Sequence, residues 1–174
     1  MRIIKGEFKG FVFKPYKHSN TRPTTDLAKE VLFNTIENYV EIKDATILDC
    51  FAGTGNIGLE FLSRGASYVT LVDKEQKNCS YIKDYAKELR LANFNVLNLD
   101  VLSFFKNNNS CFDIIFADPP YDFPHFIELL NVISDSNRFN FLIIEHPKRL
   151  VLEHKSKILK KEIGDTCLSF FKFL

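Results

Sequence analysis

The chain has no C-x-x-C pair: its four cysteines, Cys50, Cys79, Cys111 and Cys167, lie far apart. That spacing excludes a disulfide framework and a zinc site, and it suits reduced thiols acting as small core residues in a cytoplasmic protein; no metal is expected. Long apolar runs are lacking as well. Nothing approaches the roughly 20 residues needed to span a bilayer, so no membrane partner is expected. Residues 2–10 alternate charged and apolar side chains and offer no continuous apolar stretch of the secretory kind. There are no internal repeats or low-complexity tracts, only a short polar loop at 106–110. What is present is a chain of 174 residues, 45% of them hydrophobic, which suits one domain that buries most of its apolar surface.

A net charge of +1 conceals an uneven distribution. Residues 1–25 carry six Lys and Arg against one Glu, residues 26–145 ten against eighteen acids, and residues 146–174 seven against three. Basic ends around an acidic middle give a polyanion two places to meet the chain, although charge runs are commonly solvated faces.

The opening RIIKGEFKGFVFKP alternates apolar and polar residues and has Gly6 and Gly10 where a hairpin turns, so a small β-ribbon over residues 1–20 is expected ahead of a main domain at 21–174. Arg22-Pro23-Thr24-Thr25-Asp26 supplies helix-start chemistry, and Leu27, Val31, Leu32 and Ile36 mark one helical face to about Asn38. Strands then alternate with helices: strands near 46–50, 68–73, 95–100, 113–118 and 141–146, helices near 57–64, 75–91 and 124–134. This is the pattern of an α/β fold, a mostly parallel sheet with helices on both faces. ILKKEI and TCLSFFKF flank Gly164-Asp165, which predicts a closing antiparallel hairpin.

Gly53-Thr54-Gly55-Asn56-Ile57-Gly58 follows the first of these strands and opens a helix, and Asp73 stands 20 residues beyond Gly53 at the next strand end. Glycines permit positive φ and close backbone approach to a cofactor, and a carboxylate there accepts ribose hydroxyls. Both features suit any adenosine-containing cofactor. Asp49, at the tip of the strand before the loop, would oppose a pyrophosphate but suits the cationic sulfonium and amino group of S-adenosylmethionine. Asp100 ends a third strand, where it can meet the adenine edge. Taken singly, Asp49 is a helix cap and the other two are turn residues; three acids at successive strand ends on the ligand-binding edge favour a cofactor site.

The fourth strand, FDIIFA, ends on Asp118-Pro119-Pro120-Tyr121. Prolines cannot extend a central strand, so the chain leaves the sheet there with a stiff backbone. D-P-P-Y after such a glycine loop resembles the methyltransferases that modify exocyclic nitrogens of nucleobases. RIIKGEFKG, RPTTD, LFN, LDCFAGTGNIGLEFLSRGA and FADPPY, in that order across almost the whole chain, are similar to the RsmD-type guanine N2-methyltransferases of bacterial small-subunit (16S) ribosomal RNA. Departures are modest: Thr54 and Asp73 stand where that family more often has Ser and Glu.

The resemblance implies a class I, Rossmann-like methyltransferase fold with a seven-stranded sheet and S-adenosylmethionine as donor. It implies an acceptor guanine in small-subunit RNA, free or within a partly assembled subunit, and we expect a monomer. Cofactor binding then falls to Asp49, Ala52, Gly53, Thr54, Gly55, Asp73, Asp100 and Val101. Asp118 and the Pro119 carbonyl would accept the two N–H groups of the amine, aiming its lone pair at the methyl group, while Tyr121 stacks on the extruded base. Pro120, Arg22 and Thr24 would border the base. Lys5 and Lys9, with Arg2, Lys14 and Lys17, would meet phosphates, unless these lysines only protect a ribbon edge. Two alternatives stay open, an N6-adenine methyltransferase and a non-catalytic RNA-binding module. Against the first, the stretch between Asn56 and Phe116 is consumed by strands and helices of the core, with no room for an inserted sequence-reading domain.

Overall fold

The computed structural model describes residues 2–14, 25–136 and 139–173. Five strands run parallel: β1 (Thr46–Asp49), β2 (Tyr68–Asp73), β3 (Phe94–Asn98), β4 (Phe112–Ala117) and β5 (Phe139–Pro147). Two more, β6 (Lys157–Ile163) and β7 (Thr166–Lys172), form the expected C-terminal hairpin. The sheet order is β3-β2-β1-β4-β5-β7-β6, with β7 antiparallel between its neighbours. The central strands read as nearly unbroken apolar runs because both of their faces are covered. At the edge, β6 alternates half-buried residues with exposed Lys160 and Lys161, which discourages pairing with another sheet.

Helices α1 (Asp26–Ile36), α2 (Asn56–Ser63) and α3 (Gln76–Glu88) pack on one face with Ile47, Leu71, Phe116 and Ile143. Helices α4 (Val101–Asn107) and α5 (Phe126–Ser136) cover the other, against Leu48, Val72, Ile115 and Ile144. Phe33 of α1 meets Phe61 of α2 edge to face at 4.8 Å, a contact worth about 0.5–1.5 kcal/mol beyond the area it buries. Among the described residues no helix is long and apolar enough to cross a membrane.

The structure departs from the expectations at several points. Helix α4 was not expected, and the third strand stops at Asn98 because the Asp100 side chain turns to cap α4, accepting from the Leu102 and Ser103 N–H groups at 3.0 and 3.1 Å. Helix α1 buries Leu32 and Ile36 of the expected face, but Leu27 is 65% exposed and the fully buried Lys29 takes its place beside Phe33. Lys29 turns inward because Glu60 of α2 waits there, also fully buried, at 2.7 Å. Of the cysteines, Cys50, Cys79 and Cys167 are core residues, but Cys111 is exposed.

The N-terminal segment is a loop closed by one antiparallel bridge, Arg2 with Val12, in place of a ribbon with its own ladder. Ile3 and Phe13 are buried in the same core as β1, β2 and α2, so residues 2–14 pack as part of the domain. Gly6, at φ +91°, sits against the last turn of α2, where a Cβ would lie 1.7 Å from the Ser63 carbonyl oxygen. That approach lets the Glu7 and Phe8 N–H groups reach the Ser63 carbonyl and hydroxyl at 2.8 and 3.0 Å.

Candidate active site

The segment between β1 and α2 is tied to the strands on both sides. The Cys50 N–H bonds the Phe116 carbonyl on β4, and the Ala52 N–H bonds the Val72 carbonyl on β2, each at 2.9 Å. The Gly53 N–H reaches the Asp73 carboxylate at 2.7 Å, and the other Asp73 oxygen accepts from the Glu75 N–H at 2.8 Å. Asp73 therefore fixes the loop whatever else it contacts. Gly53 and Gly55 have φ of +53° and +76°, a left-handed backbone that glycine adopts without cost. Gly58, inside α2, serves a different need: a Cβ there would lie 2.5 Å from Leu71 Cδ2 and 3.3 Å from an Asp49 oxygen. Its absence lets α2 lie close on the sheet and bring the Gly58 N–H to that oxygen at 3.1 Å.

Asp49 is 1% exposed, and its second oxygen, Oδ1, has no hydrogen-bond partner among the described residues. Burial, reinforced by the Asp73 charge, raises its carboxyl to about 7 against the opposing Gly58 and Phe51 backbone bonds. A buried acceptor without a donor is expensive, and it is resolved by a cationic or N–H-bearing ligand. Positive-φ glycines on one side and an orphaned carboxylate oxygen on the other fit the amino-acid and sulfonium portion of S-adenosylmethionine.

Strand alternation places Asp49, Asp73, Asp118 and Glu145 at the carboxyl ends of β1, β2, β4 and β5, all in step with the residues that face α1–α3. Asp118 lies one residue past β4, and its carboxyl is pushed well up by burial first, then by the charges of Glu145 and Asp49. After it, Pro119 is buried, whereas Pro120 and Tyr121 are exposed. The Pro120 carbonyl accepts from the Phe123 N–H at 2.9 Å, closing a turn, and the Phe123 ring meets Phe51 edge to face at 5.4 Å. Tyr121 is 50% exposed rather than packed in the core.

The structure thus brings the glycine loop, Asp49, Asp73, Asp118, Pro119, Pro120 and Tyr121 together along the carboxyl ends of the strands. Asp100 and Val101 stand at the next strand end, with Asp100 Oδ1 accepting both capping bonds. Lys5 and Lys9 are not brought there. They flank the turn under Ser63, at the far end of α2 from Gly55, about 12 Å away at 1.5 Å per residue over the helix. Lys5 is paired with Glu37 at 2.8 Å. Arg22, Thr24 and Lys17 lie outside the described residues.

Sequence reasoning missed Glu145, although FLIIEH carries the same signal as the other tips, an apolar run that ends on an acid. It also missed the brace behind the loop. Lys29 Nζ bonds Glu60, the Arg2 carbonyl at 2.8 Å and Asn56 Oδ1 at 2.9 Å. Glu60 in turn accepts from the Ile4 and Lys5 N–H groups and from Arg64.

This strand order with a reversed seventh strand, a glycine loop after β1 and acidic strand tips define a class I S-adenosylmethionine-dependent methyltransferase fold. The family described as "Conserved hypothetical protein 95" matches residues 1–172. The chain is 34% identical over 167 residues to Ribosomal RNA small subunit methyltransferase D of Buchnera aphidicola from Acyrthosiphon pisum, covering 92% of this chain and 86% of that one. It is 35% identical over 136 residues to the Escherichia coli K12 protein of the same name, covering 78% and 68%. A solved Escherichia coli chain, provisionally named a methyltransferase, superposes with a TM-score of 0.88 at 28% identity over 99% of this chain and 97% of its own. The protein belongs to the RsmD-type methyltransferase family.

Proposed function

We propose that the protein transfers a methyl group from S-adenosylmethionine to the exocyclic N2 amine of a guanine in small-subunit ribosomal RNA. One observation carries the reading: Asp118-Pro119-Pro120-Tyr121 leaves β4 beside the orphaned Asp49 oxygen, so the acceptor for a nucleobase amine adjoins the place suited to the cofactor's cationic end. The names of the relatives support the RNA and the small subunit; D-P-P-Y supports an exocyclic amine, and the choice of guanine N2 rests on the family pattern.

When bound, the cofactor supplies an activated methyl group on a sulfonium. The chain's own residues have to make a poor nucleophile competent. The guanine amine's lone pair is delocalised into the ring, and two fixed acceptors, the Asp118 carboxylate and the Pro119 carbonyl, pull its hydrogens out of the ring plane. Prolines keep the carbonyl's direction set before the base arrives, which limits the entropy lost on binding. Tyr121 offers a ring on which the base stacks, worth about 1–3 kcal/mol. Once methylated, the amine is cationic, and the adjacent Asp118 carboxylate is placed to take its proton. Extrusion of the base costs less from an RNA loop than from a duplex. Phosphate contact by Lys5 and Lys9 would require an RNA that reaches the far end of α2, so contacts nearer the pocket belong to other parts of the chain.

The test is to supply labelled S-adenosylmethionine with free ribosomal RNA and with partly assembled small subunits, and to locate the label by mass spectrometry. Label on guanine N2 of small-subunit RNA is expected, and Asp118→Ala should abolish it while leaving cofactor affinity nearly intact. Label confined to DNA or protein, or near wild-type turnover by the variant, defeats the reading.

A further inference from the structure

Glu145 has no part in the chemistry above, yet the sheet sets it next to the residue that does. In the β4–β5 register Ala117 pairs with Ile144, so the following residues, Asp118 and Glu145, are neighbours across strands about 4.8 Å apart. They are in step with Phe116 and Ile143, whose side chains face α1–α3, the face that also carries Asp49. On its other side Glu145 is paired with Leu168 of β7, a buried aliphatic residue. After burial, the charge of Glu145 raises the Asp118 carboxyl more than that of Asp49 does, as expected for two acids on adjacent strands.

We propose that Glu145 is the specificity-determining residue of this site, its carboxylate accepting the ring N1–H of guanine while Asp118 accepts an N2–H of the same base. This rests on the guanine N2 reading above and sharpens it. Guanine presents N1–H and the N2 amine as adjacent donors, and two carboxylates on adjacent strands present the matching acceptors. Adenine sets a ring acceptor beside its amine, so its N1 would face the Glu145 oxygen lone pair to lone pair. The Asp118-Pro119 pair recognises only an amine. Glu145 supplies the discrimination between the two purines that those residues lack, and Tyr121 cannot supply it either, because every base has a face on which to stack.

The discriminating substrate is RNA with 2-aminopurine in place of the modified guanine. It keeps the 2-amine but has an acceptor at N1. Wild-type enzyme should methylate it with a kcat/KM about 100-fold below that of the guanine RNA, since a half-buried carboxylate is left facing a lone pair. Glu145→Gln can offer its amide oxygen to the N1–H of guanine or its NH2 to the N1 acceptor of 2-aminopurine, so guanine turnover should fall and the guanine to 2-aminopurine ratio should close to within about tenfold. The ratio does not depend on how much of the variant is folded, which separates recognition from a loss of stability. A Glu145→Gln ratio equal to that of wild type, with label on guanine N2, overturns the role of Glu145 and leaves the proposed reaction standing. Label on adenine N6 overturns both.

Discussion

Asp49→Asn isolates the electrostatics of the strand tips. In the empty protein, burial chiefly and the Asp73 charge secondarily lift the Asp49 carboxyl from 3.8 to about 7. In the unfolded chain the group titrates near 3.9. The folded state therefore keeps a proton that the unfolded state has lost, and stability falls as pH rises through the window from about 4 to about 7, then levels off. At about 1.4 kcal/mol per unit the full shift amounts to roughly 4 kcal/mol, and about 3 kcal/mol of it develops between about pH 5 and about pH 8. Asparagine matches the shape, its carbonyl can still take the Gly58 N–H, and it has no proton to lose. Urea unfolding of the ligand-free proteins should show the variant gaining about 3 kcal/mol on wild type between those two pH values. Comparing two pH values cancels the constant cost of seating an amide in the pocket. An equal difference at both would refute the reasoning, because Asp49 would then titrate as it does in water. The ligand side has the opposite sign: the charged carboxylate is the form that suits a cation. Wild-type affinity for S-adenosylmethionine should weaken as pH falls below about 7, by up to about tenfold per unit, with a flatter profile for the variant.

Two substitutions probe the brace behind the loop. Lys29→Met leaves Glu60 buried without its closest cation and should cost about 3 kcal/mol in urea unfolding; a loss under about 1 kcal/mol would mean that the pair is solvated. Gly6→Ala forces a Cβ onto the Ser63 carbonyl at a left-handed φ and should cost about 3 kcal/mol or more, whereas Gly10→Ala, at φ +89° with open space around it, should cost only about 1–2 kcal/mol. Equal effects of the two glycine changes would show that the close approach to α2 does not matter.

Strands and the glycine loop were legible because their signals are local. An apolar run ending on an acid marks a strand tip, and 68–73 was delimited to the residue. Helix α4 was not legible, since the seven residues VLSFFKN are too short and too apolar to show a helical period. The inward turn of Lys29 was hidden for another reason: a lysine on a helix is ordinarily solvated, and only its pairing with Glu60, 31 positions along the chain, makes burial tolerable. The position of Lys5 and Lys9 at the far end of α2 was not legible, because charge carries no information on which end of a sheet a loop will reach. Glu145 was readable by the rule that found Asp49 and Asp73, but the rule was not carried to the fifth strand.

Helix α2 begins at the cofactor loop with Asn56 and ends at Ser63, and the first residues of the chain grip it along its length: Lys29 joins the Arg2 carbonyl to Asn56, Glu60 holds Ile4 and Lys5, and Ser63 holds Glu7 and Phe8. The opening segment is thus a splint on the helix that aims the glycine loop. A chain begun at residue 21 would lose this support along with Ile3 and Phe13 of the core. Any border drawn between residues 2–14 and the rest of the domain consequently cuts through one mechanical part, and an insertion before Gly6 should be felt at Gly55.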